Sequence, residues 1–321
     1  MALTIYRSTD SGAPSLTYAA GSFIAMLDAC LRTGYGSKAG AGWTKPFTGS
    51  NIAVFRQGAG GNGRYIRVWN ARTGNDPTTY CMTANVRGYE DMTAVSTGNN
   101  PFPTVAQSNS DGLMMRVAYS SPSYPTGWIV RATSNWFDVL VFTGYVAPRG
   151  ANSAPVADSY LSFGAFPSLK SGDTYNDFIL AEANNSNYYY YPSVGISGSS
   201  YCAYVSRNDL GTVGSKVALI APLSPCAESY MGVGNHTYFP YPNRVNNSVD
   251  LYQYVLLSEG YFRGVLPGVW GSAHGVTAIG FGNTFSGIAP VAGRTFEVIA
   301  ASAASTDIGM ILETSDTFTG L

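Results

Sequence analysis

Much of this chain consists of short runs rich in apolar, aromatic and β-branched residues that lack a helical stripe and are bounded by Gly, Asn, Ser and Pro. A period of two sends alternate side chains to opposite faces of an extended strand, whereas a helix needs apolar positions three and four apart. Strands are therefore predicted at 3–6, 51–57, 64–70, 80–86, 113–119, 128–132 and 136–142. They resume at 160–164, 178–180, 201–205, 216–220, 251–257, 264–270, 295–300 and 308–313. One stretch follows the other period: Phe23, Ile24, Met26, Leu27, Cys30 and Leu31 form a helical stripe, with Ser22 as the expected N-cap and Gly34 as the stop. Gly88-Tyr89-Glu90-Asp91-Met92 reads as one further helical turn. The pattern predicts a mainly β fold with minor α content. Its parts are β-sandwich or barrel-like sheets, one short N-terminal helix at about 22–33, and long Gly/Ser/Asn/Pro loops.

Residues 146–158 read VAPRGANSAPVAD, small and proline-containing, which suits a domain boundary or a long crossing loop. The predicted organisation is an N-terminal β-rich domain with the helix (1–147), a linker (148–157) and a C-terminal β domain (158–321).

The run Phe55-Arg56-Gln57-Gly58-Ala59-Gly60-Gly61-Asn62-Gly63-Arg64-Tyr65 contains a literal G-x-G-x-x-G. In a dinucleotide site those glycines join a strand to a helix whose N-terminal N–H groups hold the pyrophosphate. Here Arg64-Tyr65-Ile66-Arg67-Val68-Trp69 follows, aromatic and β-branched with no helical stripe. The prediction is a β-hairpin with a glycine-dense tip and no cofactor. Glycines also admit close backbone approach, so Gly60, Gly61 and Asn62 are expected to fit against a neighbouring protein.

Composition changes the picture in one direction. Only 12% of residues are charged, with 37 Gly and 23 Tyr, and four of the 18 basic residues are lysines (Lys38, Lys45, Lys170, Lys216). That is about half the usual charged fraction of about 25%, too little to coat long helices but enough for strands and loops. A net charge of −1 argues against nucleic acid as a partner, since phosphate binding needs a clustered positive field. No apolar run reaches the length of a membrane-spanning helix, and residues 1–7 show no basic-then-apolar signal pattern, so neither a membrane nor a secretory route is expected. Cys30, Cys81, Cys202 and Cys226 are scattered without a C-x-x-C and read as reduced, mostly buried thiols, with a Cys202–Cys226 disulfide as the alternative.

Catalytic chemistry has few candidates. The two histidines, His236 and His274, have no partner at ligand spacing, so no metal is expected. There is neither a G-x-S-x-G elbow nor a phosphate-binding P-loop. Paired carboxylates could cleave a glycan, and Glu90-Asp91, Asp173 with Asp177, and Glu259 are available. Solvated turn carboxylates are the simpler reading, and no catalytic residue is assigned. The run Tyr188-Tyr189-Tyr190-Tyr191 is a candidate interface patch, with sugar stacking as its alternative.

Several stretches bear a likeness to known proteins. They include Thr4-Ile5-Tyr6-Arg7-Ser8-Thr9-Asp10-Ser11-Gly12-Ala13-Pro14, Gly42-Trp43-Thr44-Lys45-Pro46-Phe47, the glycine-dense hairpin, and Val86-Arg87-Gly88-Tyr89-Glu90-Asp91-Met92. Further along come Gly98-Asn99-Asn100-Pro101-Phe102-Pro103-Thr104, Phe239-Pro240-Tyr241-Pro242-Asn243, Arg263-Gly264-Val265-Leu266-Pro267-Gly268-Val269-Trp270 and Leu312-Glu313-Thr314-Ser315-Asp316-Thr317-Phe318. Together they resemble a family of tailed-bacteriophage virion structural proteins, most strongly in the first hundred residues. The resemblance implies a non-enzymatic part of a tail, neck or baseplate, assembled in the bacterial host cytoplasm with other virion proteins and copies of itself. A capsid-decorating protein, a binder of host receptor or surface glycan, and a glycan depolymerase are the alternatives.

Overall fold

The computed structural model describes residues 2–70, 81–108, 111–119, 126–143, 159–181, 202–220, 248–258, 261–272, 279–280, 282–288, 290–300 and 309–315. In chain order, β1 (Thr4–Arg7) is followed by helix α1 (Ser22–Asp28), then β2 (Thr44–Gly49), β3 (Ile52–Arg56), β4 (Tyr65–Trp69), β5 (Cys81–Ala94), β6 (Thr97–Phe102) and β7 (Leu113–Tyr119). Next come β8 (Thr126–Ala132), β9 (Trp136–Thr143), β10 (Ser159–Ala165), β11 (Asp177–Ala181), β12 (Cys202–Val205) and β13 (Lys216–Ile220). The last are β14 (Leu251–Ser258), β15 (Tyr261–Ser272), β16 (Thr284–Ser286), β17 (Thr295–Ala300) and β18 (Gly309–Glu313). The protein is mainly β with one short helix, as the strand-like runs predict.

Two antiparallel sheets result. The smaller runs β2-β3-β4-β5-β6, with β7 beside the first half of β5. The larger has twelve strands in the order β1-β8-β9-β10-β11-β12-β13-β14-β15-β18-β17-β16. It rolls on itself: the Arg131 guanidinium on β8 donates to Gly268 O on β15 at 2.6 Å and to Glu313 O on β18 at 3.0 Å. Arg7 on β1 likewise pairs with Glu297 on β17.

Alternation decides which core each side chain joins. On β9, Phe137, Val139 and Val141 face the smaller sheet and α1, whereas Trp136, Leu140 and Phe142 face the interior of the roll. On β11 the same split sends Ile179 and Ala181 one way and Phe178 and Leu180 the other. Strands β8 and β11 are buried along their whole length, and the polar side chains they bury are Thr126, Arg131 and Asp177. Each large apolar side chain so buried stabilises by about 1.5–3 kcal/mol.

Residues 148–157 lie outside the described residues, but the strands on either side of them are neighbours. β9 and β10 pair in register from Val141↔Ser159 to Trp136↔Gly164. One core cluster also draws on both flanks, uniting Trp43, Phe102 and Phe137 with Leu161, Phe163 and Ile179. Sheet and core thus draw on residues from both sides of the proposed linker.

Two local expectations need correction. Ser22 does not cap α1: the N-cap position is Gly21, and the Ser22 hydroxyl donates to Thr17 O at 2.6 Å. The capping acceptor is Asn70 Oδ1, which receives the Phe23 N–H at 3.0 Å from the far end of β4. The helix then widens into a π-helical turn, Ala29–Thr33, closed by the Gly34 N–H on Ala29 O before Gly34 ends it. Gly88–Met92 is not a helical turn but the second half of β5, held by pairing with β6 from Gly88↔Phe102 to Met92↔Gly98. A five-residue window carried no sign of that partner.

The exposed edges are blunted. At β1, Asp10 accepts the outward Arg7 N–H at 2.7 Å, Lys38 Nζ donates to Ile5 O at 2.6 Å and the Tyr35 hydroxyl reaches Arg7 O at 3.3 Å. At β2, Pro46 removes a donor from the edge, and Lys45 is tied to Asp28 at 2.7 Å. Such features disfavour open-ended strand addition.

Candidate interaction surface

Strands β3 and β4 form the predicted hairpin, with no helix between or directly after them. The turn closes through Gln57 N–H to Arg64 O at 3.0 Å and Arg64 N–H to Gln57 Oε1 at 2.8 Å. Its close fit is to this same chain. Gly58 N–H donates to Ser134 O at 2.7 Å, and a Cβ at Gly58 would lie 2.1 Å from Gly42 O. A Cβ at Gly61 would meet the side chains of Gln57 and Asn135 at 2.9 and 3.0 Å. Gly58 and Gly61 thus pack closely against this same chain, in part against the β8–β9 turn, while Gly60 and Asn62 are exposed.

The tip also closes over a buried carboxylate at the start of β11. Asp177 accepts from Gln57 Nε2 and Asn62 Nδ2, each at 2.7 Å, and from Arg64 Nε at 3.3 Å. Burial nevertheless pushes its carboxyl above the usual carboxylate range. Asp173 lies nearby in the 168–176 loop, where it takes both arms of Arg263 at 3.2 Å, the Ser168 hydroxyl at 2.8 Å and the Tyr175 N–H at 3.0 Å. Burial opposes its ionisation, but Arg263 and the other donors outweigh that and hold it below the usual range. Glu90 behaves alike, with burial outweighed by Arg207 at 2.6 and 2.8 Å and Asn100 at 2.8 Å.

Of the carboxylates singled out in the sequence, Glu90, Asp173 and Asp177 are therefore each committed to cationic or amide partners. Asp91 is exposed on β5, and Glu259 lies outside the described residues. Among the described residues no three His, Cys, Asp or Glu side chains gather as a metal set, and no helix is long and apolar enough to cross a membrane. The tyrosine run 188–191, His236, His274 and Cys226 also lie outside the described residues. Cys30 is a buried free thiol whose pKa burial pushes up, so it is a packing residue.

These carboxylates set an acid limb on stability. A carboxylate whose folded pKa is depressed contributes stability above its unfolded value, and that contribution is lost as pH falls through the folded value. For Glu90 and Asp173 the loss begins near the ordinary values of 4.5 and 3.8 and continues below them. Asp177 has the opposite sign and offsets part of the loss, since its raised folded pKa gains stability on protonation. Glu90→Gln is expected to flatten the fall of unfolding free energy below pH 4.5, measured by denaturant titration across pH. An unchanged slope would show that the Glu90–Arg207 pair carries none of it.

The same network assembles a surface that sequence reading missed. Arg207 and Arg64 flank the Tyr175 ring at 5.1 and 5.7 Å. Arg263 also donates to Tyr175 O at 2.9 Å and to Arg207 O, while Leu169 N–H donates to Arg263 O at 2.8 Å. An exposed ion pair at 3.0 Å, Lys170 with Asp209, joins the 168–176 loop to the 207–212 loop. Three segments thus meet on one rim of the roll: 168–176, 207–212 and the start of β15.

No protein-family model and no curated protein matches the chain. The site must be read from its own chemistry. On this rim the side chains left open to solvent are Leu210 (83%), Tyr261 (71%), Phe262 (64%) and Leu169 (61%), together with the edge of Tyr175. A signal for it exists in the sequence. Tyr261 and Phe262 are consecutive apolar residues at a strand start, so alternation cannot bury both against one core.

Proposed function

We propose that the chain is a structural component of a tailed-bacteriophage virion, assembling with copies of itself and other virion proteins at the tail, neck or baseplate. The observation that carries this reading is the pairing of committed carboxylates with an uncovered apolar rim. Glu90, Asp173 and Asp177 are spent on internal ion pairs and hydrogen bonds, while Leu169, Leu210, Tyr261 and Phe262 stay open to solvent. A surface of that kind is suited to contact and not to bond cleavage. The low charge and the resemblance of the N-terminal hundred residues to virion structural proteins support the same reading.

Mass spectrometry of purified particles tests it. The expected result is a stoichiometric band in intact virions, located at the tail, neck or baseplate by gold-labelled antibody. Absence from intact particles would overturn the reading. Labelling over the capsid surface would favour a decorating role, and antibody that blocks adsorption would favour a receptor-binding one.

A further inference from the structure

We propose that Asn62 is a self-modification site: the Gly63 backbone nitrogen attacks its side-chain amide, ammonia leaves, and the resulting carboxylate releases the hairpin tip from β11. The step needs no partner molecule, so it goes beyond the virion reading and stands or falls apart from it.

Sequence and geometry together open this amide to attack. Asn62-Gly63 is the one Asn-Gly pair in the chain, and glycine leaves its nitrogen unshielded by any side chain. Asn62 is exposed at the tip, where water reaches it. The Gly63 N–H donates to no group among the described residues, whereas the N–H groups of Gly61 and Arg64 on either side are taken by Gly58 O and Gln57 Oε1. A proton donor is also in place. Asp177 Oδ2 lies 2.7 Å from Asn62 Nδ2, the atom that must leave. Burial raises the Asp177 carboxyl, so it keeps its proton to a higher pH than an exposed carboxylate does.

The chemistry consumes only water. The Gly63 nitrogen forms a bond to Asn62 Cγ and passes its proton to solvent. The Cγ–Nδ2 bond breaks as Asp177 protonates Nδ2, so ammonia departs and a cyclic imide remains. Water opens the imide at either carbonyl, giving aspartate or isoaspartate, and Asp177 recovers its proton from solvent.

The product no longer fits the closed tip. Nδ2 donates to Asp177 at 2.7 Å and to Asn176 Oδ1 at 2.9 Å, and in its place a carboxylate oxygen faces two acceptors. Asn176 cannot reverse its amide without losing its donation to Phe166 O at 2.8 Å. Gln57 is fixed in the same way, by Asn135 O at 2.8 Å and by the Arg64 N–H. Among the described residues Arg64, at 3.3 Å, is the one cation that donates to Asp177. Two carboxylates at hydrogen-bonding range repel, and the tip lifts from β11.

Peptide mapping by mass spectrometry on the full chain, held for days at neutral pH, tests the proposal. The expected result is that Asn62 converts ahead of every other asparagine, and faster in the folded chain than in urea. Asp177→Asn, close in shape, is expected to slow conversion about a hundredfold, the lower end for a positioned proton donor. Hydrogen exchange of the Gly58 N–H, held by Ser134 O, is expected to rise in the aged chain and in Asn62→Asp. Combining Asn62→Asp with Asp177→Asn swaps donor and acceptor, and is expected to restore slow exchange.

An Asn62 that stays intact, or that converts no faster folded than in urea, overturns the proposal. Conversion of Asp177→Asn at the parent rate overturns the role of the proton donor. An aged chain whose Gly58 exchange is unchanged overturns the release of the tip. The comparison with urea and the exchange of the aged chain need no variant, so a substitution that fails to fold leaves both decisive.

Discussion

Arg131→Met is expected to lower the unfolding free energy by about 3–5 kcal/mol, the range for removing one partner of a buried ion pair. Arg131 and Asp138 are fully buried inside the rolled sheet. The guanidinium meets both carboxylate oxygens, Nε to Oδ1 at 3.1 Å and the second contact to Oδ2, and its remaining arm satisfies Gly268 O and Glu313 O. Tyr160 donates to the same carboxylate at 3.1 Å, and the Trp136 ring lies 5.3 Å from the guanidinium carbon. Burial pushes the Asp138 carboxyl upward and Arg131 opposes that push. Without the arginine the buried carboxylate keeps only the Tyr160 hydroxyl among its side-chain donors, and the Gly268 and Glu313 carbonyls lose their guanidinium donor, which is costly for buried groups.

The double variant Arg131→Met with Asp138→Leu is expected to be milder than Arg131→Met alone, because it removes the stranded carboxylate as well. Urea titration of the three proteins measures both effects. A single-variant loss below about 1 kcal/mol would mean that water reaches the pair and that it does not hold β8 to β15 and β18.

Phe163→Ala is expected to cost about 3–5 kcal/mol through the cavity it leaves. Phe163 on β10 stacks on Phe102 at 5.9 Å and meets Trp43 at 6.0 Å and Phe137 at 6.1 Å. Those three rings belong to residues before 148, and Phe163 to residues after 157. The lost packing therefore lies between the chain's two proposed halves. Tryptophan fluorescence and far-ultraviolet circular dichroism should shift together in one transition. Two separate transitions, only one of them moved, would support an independently folding 1–147 domain.

Much of the secondary structure was legible because alternation is a local property. The hairpin around Gly58–Gly63 is the clearest case, since Arg64–Trp69 carries a strand pattern that no nucleotide-binding helix could share. Strands whose register comes from a partner were harder to read. β6 contains Asn99, Asn100 and Pro101 and has little apolar content, yet pairing with β5 makes it a strand. The β5 half that follows Gly88 was misread for the same reason. The cap of α1 was misplaced because its acceptor, Asn70, lies 47 residues away.

The candidate surface was less legible still. Tyr188–Tyr191 drew attention as a run of one residue type and lies outside the described residues. The rim instead gathers Leu169, Leu210, Tyr261 and Phe262 from three separated segments, each unremarkable alone.

The sequence by itself determined a mainly β protein with one short helix near its N-terminus, because periodicity and composition act on neighbouring residues. Only the tertiary structure decided what the glycine-dense tip packs against, which carboxylates are spent, and which apolar side chains stay bare. Those outcomes depend on contacts such as Asn62 with Asp177, 115 residues apart, and Arg131 with Glu313, 182 apart. No local pattern encodes a pairing over that distance, whereas rolling the sheet brings such residues within hydrogen-bonding reach.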